Sequence, residues 1–191
     1  MLGLVAGIGF ASYALWHKAR KDEGDALAVE RKRLSPPAER SPTTIQVGDV
    51  VQHLGSDFLV EGVVTFSEDG RGARLYRLFD DGGERFLYAK AGGSDPLLLA
   101  PTTIPVPDQS GGEPPENLQH AGGAYRQTSR AQASAIRVGQ LGTRKHGDRV
   151  RVFEYAGPGP ARMLVVDWGD KLEAFAGERV LASALEILPA R

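Results

Sequence analysis

The sequence predicts an all-β fold, with antiparallel meanders forming a small barrel or two packed sheets, preceded by one N-terminal transmembrane helix. Three observations carry this. Apolar residues alternate with period two along residues 57–66 and again along 149–155, which is the spacing of strands rather than helices. Turn formers interrupt the alternation repeatedly, with 24 Gly and 12 Pro in 191 residues. Residues 1–16, MLGLVAGIGFASYALW, hold no charged side chain and are followed at once by His17-Lys18-Ala19-Arg20-Lys21.

A hydrophobic content of 41% with 25% charged residues suits a globular core, and the length allows one medium domain plus appendages. A net charge of −1 and the lack of an interleaved basic patch argue against a nucleic-acid partner, which needs a basic face for the phosphates. Cysteine is absent, which excludes a disulfide framework, a thiol nucleophile and a Cys-based metal site, and fits a reducing compartment.

Residues 1–17 are expected to form the membrane anchor. As a helix the apolar run spans about 24 Å, short of a hydrocarbon core of about 30 Å. Snorkelling of Lys18 and Arg20, with Trp16 and His17 at the interface, covers the difference. A signal peptide carries its positive charge before the apolar run, whereas here the charge follows it. The positive-inside rule then keeps the Lys18/Arg20 side cytoplasmic. The expectation is a single-pass protein of the inner (cytoplasmic) membrane with its C-terminal domain in the cytoplasm. Signal cleavage, leaving a secreted or periplasmic β-protein, is the alternative. Gly3, Gly7 and Ala11 recur every fourth residue, a spacing that lets two helices approach and offers a homodimer face, although short anchors are commonly rich in such residues. Residues 18–44 form a polar stalk, helical over 20–34 until Pro36, Pro37 and Pro42 stop it.

The β-rich domain is expected over residues 45–190. Residues 45–51 enter the core. Phe58, Val60, Gly62, Val64 and Phe66 then alternate with more polar neighbours on a strand, and Gly62 in mid-strand marks a bulge or a close backbone approach. Residues 68–72 turn, 73–79 form the next strand, and Asp80-Asp81-Gly82-Gly83 is a hairpin signal leading into 84–90, with Phe86 and Tyr88 on one face. Gly70-Arg71-Gly72 is followed by a strand pattern and not a helix, so it is not a phosphate loop.

The Pro/Gly-rich loop 101–118 joins two halves, 45–100 and 119–190. In the second half, residues 122–129 and 135–141 read as strands around a helix-favouring 130–135. Strands follow at 149–155, 163–168 and 172–176, and the domain closes with a strand at 185–188 or a helical turn over 182–188. Residues 78–82 before Phe86 echo 165–169 before Phe175, and Gly48 to Val51 echoes Gly147 to Val150, which suggests an internal duplication.

The Val47-Gly48-Asp49-x-Val51 opening and the Phe58-x-Val60-x-Gly62-x-Val64 strand carry a family resemblance. So does the later pattern of Phe153-Glu154-Tyr155, Leu164, Asp167-Trp168 and Gly177-x-x-Val180. Over about residues 45–188 the chain resembles an uncharacterised bacterial family, domain of unknown function number four-one-seven-eight. It departs from the family pattern at Ala73 to Arg77, where relatives carry tryptophan and acidic residues, and at Lys90-Ala91-Gly92, where an acidic position is replaced. The resemblance implies gene neighbours such as phage-shock-protein-A-like membrane-remodelling proteins, small membrane proteins and polyamine-synthase-like proteins. Membrane maintenance or envelope stress is the setting these imply. It brings no activity and no cofactor.

Catalytic signals are sparse. The four histidines lack metal-ligand spacing, and a zinc site would need His53, His120 and His146 to meet in the fold. Glu154, Asp167, Asp170 and Glu173 put carboxylates on adjacent strands and a turn, where they could bind a cation or move protons. Asp167 and Asp170 also bracket a hairpin, where aspartate is favoured for its backbone geometry. Glu154, Asp167 and His146 are the candidate ligand or metal residues. Trp16, Lys18 and Arg20, with Gly3, Gly7 and Ala11, are the candidate anchor residues. The expected function is a membrane-tethered cytoplasmic binding or adaptor module with a protein partner at the membrane face. The alternative is an enzyme or small-ligand domain that uses the carboxylates of the second half.

Overall fold

The alternating runs become eleven antiparallel strands in the computed structural model, which describes residues 40–68, 71–93, 95–104, 113–142 and 147–190. They are β1 (Val50–His53), β2 (Ser56–Glu68), β3 (Arg71–Asp80), β4 (Gly83–Lys90), β5 (Leu97–Thr102), β6 (Asn117–His120), β7 (Gly123–Gly139), β8 (Gly147–Ala156), β9 (Ala161–Asp167), β10 (Leu172–Arg179) and β11 (Glu186–Leu188). No helix among the described residues is long and apolar enough to cross a membrane. The expected anchor, with Gly3, Gly7, Ala11, Trp16, Lys18 and Arg20, lies outside the described residues, as does His146.

The sheet runs β11-β1-β2-β3-β4-β5-β10-β9-β8-β7-β6, and a further β2–β7 pairing closes β2 through β7 into an eight-stranded barrel. Of the two architectures the sequence allows, the barrel is the one formed. Each of the eight barrel strands sends alternate residues inward. Val64, Phe66, Leu75, Phe86, Tyr88, Leu99, Val152, Leu164 and Phe175 belong to one buried interior cluster, so side chains fill the barrel. Trp168 packs against this cluster, with the Arg137 guanidinium 4.5 Å from its ring centroid.

The β2 alternation is not one continuous face. The β2–β3 register shifts between Val60 and Gly62, and this bulge changes the side to which alternate residues point. Val64 and Phe66 enter the barrel, whereas Phe58 and Val60 pack outside it with Tyr76, Leu78, Leu87 and Ile187. All four are buried, so burial alternates without interruption and the sequence pattern conceals the switch. Gly62 has a second constraint. It pairs with Gly139 across the closing seam, and a Cβ on Gly62 would stand 2.5 Å from the Gln140 carbonyl oxygen. The bulge and the close approach expected at Gly62 both occur.

A third cluster, with Tyr125, Phe153, Tyr155, Met163 and Val165, covers the outer wall of the second half beneath Leu118. Phe153 and Tyr155 therefore face outward under cover, while Val150 and Val152 face inward.

The second half differs from expectation in two further respects. Residues 130–135 continue as strand within the long β7, because their backbones pair with β8 on one side and partly with β2 on the other. The Pro-rich loop is shorter than 101–118: β5 runs through Pro101 and Thr102, β6 begins at Asn117, and 105–112 lie outside the described residues. At the C-terminus both readings hold in part, since a 3-10 turn at Ala182–Ala184 precedes β11.

The topology repeats itself. β1–β5 and β6–β10 are five-strand meanders in the same order, joined through β2–β7 and β5–β10. Their opening hairpins share a Gln-His-x-Gly turn, Gln52 to Gly55 and Gln119 to Gly122. In both, the two central residues have positive φ: Leu54 (50°) with Gly55 (82°), and Ala121 (48°) with Gly122 (76°). The sequence echo of 78–82 with 165–169 instead equates the β3–β4 turn with the β9–β10 turn, and that of Gly48 with Gly147 equates the approach to β1 with β8. Neither follows this topology.

Asp49 secures the ends of the domain. Its fully buried carboxylate accepts hydrogen bonds from the Gln46 amide at 2.8 Å and the Ala190 amide at 2.9 Å, and pairs with Arg40 Nε at 3.2 Å. The Val47-Gly48-Asp49 signature therefore ties the start of the domain to its C-terminus.

Candidate ligand site at the mouth of the barrel

Inward alternation that is apolar in mid-barrel turns polar at one end. On β4 the inward face runs Phe86, Tyr88, Lys90, and on β8 it runs Val150, Val152, Glu154. Glu154 pairs in register with Leu164, an interior residue, which fixes its inward direction. The three polar ends meet. Lys90 Nζ lies 2.9 Å from each Glu154 carboxylate oxygen, and the Tyr88 hydroxyl donates to Oε1 at 3.2 Å. Thr128 Oγ1 donates to the Glu154 carbonyl oxygen at 3.2 Å.

These groups open on a recess of about 260 Å³ lined also by Asp95, Ser129, Arg162 and Arg179. A second recess of about 190 Å³ shares Tyr88, Lys90, Ser129 and Glu154 and reaches Phe66 and Glu68. Burial raises the Tyr88 pKa, and the adjacent negative Glu154 raises it further. Tyr88 therefore stays a neutral hydrogen-bond donor and does not serve as a base near neutral pH.

The two carboxylates of the larger recess have internal partners. Glu154 is held by Lys90 and Tyr88, and Asp95 accepts the Ala182 amide at 3.2 Å. The two arginines are less engaged. Arg162 Nη1 donates to the carbonyls of Gly159 at 3.0 Å and Ala161 at 2.6 Å. Neither Arg162 nor Arg179 has a carboxylate partner among the described residues. Together with Lys90 they give the mouth cationic donors suited to an oxyanion.

The carboxylates singled out from sequence do not converge. Glu154 faces into the mouth, whereas Asp167, on the outer face of β9, pairs with Arg151 and accepts the Gly169 amide at 2.8 Å. Arg151 also reaches Glu113, which pairs with Arg130 at 2.6 Å. Glu173 accepts from the Trp168 indole at 2.9 Å and pairs with Lys171. The Asp167–Glu173 turn is thus held by its own carboxylates, a structural use of these residues. No group of three His, Asp or Glu among the described residues could hold a metal. His120 Nε2 lies 3.3 Å from Thr102 Oγ1 on the outer side of the second half, and His53 ends β1 in the first.

Sequence reasoning found Glu154 but not its partners. The alternation that puts Phe86 and Tyr88 on one face extends to Lys90, so that signal was present. Arg162 and Arg179 carried none, because which strand ends share a mouth depends on barrel closure.

No match to a curated protein or to a solved structure was found. Residues 46–182 match the family described as Domain of unknown function (DUF4178), a span that holds every barrel strand. This chain, with its closed barrel and polar mouth, therefore belongs to that family.

Proposed function

We propose that the protein is a membrane-tethered cytoplasmic binding module whose barrel recognises a small phosphate- or carboxylate-bearing ligand at its mouth. The observation that carries this reading is the set of cations around the larger recess, with Arg162 and Arg179 lacking a carboxylate partner among the described residues while Glu154 and Asp95 have internal partners. Guanidinium groups bind planar and tetrahedral oxyanions through paired hydrogen bonds, and the recess suits a small group of that kind. The uncharged run 1–16 followed by Lys18 and Arg20 supports the tether. An adaptor role beside phage-shock-protein-A-like envelope proteins rests on the gene neighbourhood that goes with the family.

The test titrates the full chain, in dodecyl maltoside, with inorganic phosphate and separately with acetate, following Tm and binding heat. A rise in Tm with one oxyanion, lost in Arg162→Met and Arg179→Met and kept in Asp57→Asn, supports the reading and identifies the group preferred. Responses to neither oxyanion, or equal responses in all variants, refute it. For the tether, deletion of residues 1–16 moves the protein from the membrane to the soluble fraction. An intact chain already in the soluble fraction rejects the anchor.

A further inference from the structure

A second surface lies at the opposite end of the barrel and is independent of the mouth. The bulge at Val60/Gly62 lets the first part of β2 leave the barrel wall and carry β1 and β11 with it. Cross-strand pairing then sets four apolar residues in one row: Leu188 opposite Val50, Val50 opposite Leu59, and Leu59 opposite Phe79. Directly paired residues share a face, so the row is continuous across β11, β1, β2 and β3. It is also open, with Leu59 46%, Phe79 45% and Leu188 40% exposed.

The neighbouring row on the same face is Glu186, Gln52 and Asp57, and Asp80 and Asp81 stand at the Phe79 end. A groove of about 620 Å³ on this face is lined by Val50, Asp57, Leu59, Phe79, Asp80 and Asp81, and no Lys or Arg among the described residues lines it. Arg77, two residues before Phe79 on β3, is taken up by Glu61 at 2.7 Å and Glu84 at 2.5 Å.

Asp57 accepts from the Gln52 side-chain amide at 2.8 Å and Asp80 from the Gly82 amide. None of Asp57, Asp80, Asp81 and Glu186 has a cationic partner among the described residues, so the row is complementary to an apolar stripe flanked by Lys and Arg. Four strands side by side span about 14 Å, and two turns of helix rise about 11 Å, so apolar residues at i, i+4 and i+7 cover the row. We propose that this face, with its groove, docks a basic amphipathic helix of a partner protein. The apolar side of that helix lies on Leu59 and Phe79 in the groove and on Leu188 beside it, and its cations meet Asp57, Asp81 and Glu186. Such a surface would let the module hold a protein while its mouth stays free.

The test uses the full chain in dodecyl maltoside and two fluorescein-labelled peptides of the same Leu/Lys composition. One has its leucines at i, i+3, i+4 and i+7, and the other is scrambled so that no helical face is apolar. Anisotropy is expected to show at least tenfold tighter binding of the amphipathic peptide. Leu59→Asp and Phe79→Ser each reduce it at least tenfold, and Asp57→Asn with Glu186→Gln flattens its salt dependence. These side chains are exposed, and an unchanged Tm verifies folding. Equal affinity for both peptides, or binding that survives both apolar substitutions, overturns the proposal. So does a dimer, seen by sedimentation without peptide, that Leu59→Asp converts to monomer, because the groove then serves a second copy of this chain. Loss of phosphate and acetate binding at the mouth would leave these readouts unchanged.

Discussion

Gly62→Ala tests whether barrel closure depends on a backbone contact that no side chain can share. The added methyl would lie 2.5 Å from the Gln140 carbonyl oxygen, 2.8 Å from Leu141 Cγ and 2.9 Å from its Cδ2. The first of these is backbone, held by the Gln140 amide donating to the Glu61 carbonyl at 2.8 Å, so β2 and β7 must separate to admit the methyl. Overpacking of this kind costs about 1–3 kcal/mol, and weakening the adjacent hydrogen bond costs about 1 kcal/mol more. A loss of about 2–4 kcal/mol is therefore expected, a large share of a stability that is about 5–15 kcal/mol in typical domains. Two controls separate clash from conformational strain. Gly55 has a φ of 82° and nothing within 4 Å, so Gly55→Ala carries backbone strain alone, about 1–2 kcal/mol. Gly72 has no φ constraint and its nearest atom is at 3.7 Å, so Gly72→Ala is expected within about 0.5 kcal/mol of the parent. The assay is urea unfolding in a Trp16→Phe background, in which Trp168, 6.0 Å from Phe66, reports on the barrel interior. A Gly62→Ala protein as stable as Gly72→Ala would refute the closure argument.

Two further outcomes are expected. Burial raises the pKa of Tyr76, Tyr88 and Tyr155, the last to about 12, above the ordinary value of 10.0. Below pH 10 both folded and unfolded chains keep these protons. Above it the unfolded chain releases them first, so stability falls by about 1.4 kcal/mol per pH unit for each tyrosine until its folded pKa is passed. Absorbance at 295 nm should therefore show these three ionising together with unfolding, and independent titration below the unfolding pH would contradict their burial. Asp49→Ala strands the buried amides of Gln46 and Ala190, with an expected loss of about 2–4 kcal/mol. Faster hydrogen exchange at Ala190 and along β11 checks it, and unchanged exchange there would show that the carboxylate does not secure the C-terminus.

The all-β class and most strand positions were legible in the sequence because alternation and turn chemistry are local. Asp80-Asp81-Gly82-Gly83 forms a hairpin, with the Asp80 carboxylate accepting the Gly82 amide at 2.8 Å, for reasons contained in those residues. Gly62 was legible for the same reason, since glycine in mid-strand has few other uses. The family, too, could be read from the chain alone, through Val47-Gly48-Asp49 and the later aromatic and aspartate pattern. Tertiary structure decided the rest. The period-two pattern cannot register a bulge when both faces end up buried, so the division of β2 between barrel interior and outer cluster was hidden. A helix-favouring 130–135 becomes strand because partner backbones outweigh propensity. Glu154 and Asp167 share a strand pair but point to opposite faces. Lys90, Arg162 and Arg179 share a recess with Glu154, from three different strands, only because an antiparallel sheet closed on itself brings distant strand ends to one rim. The sequence determined which residues face in and which face out over each unbroken run. Closure, set by the Gly62–Gly139 contact, decided which of them became neighbours.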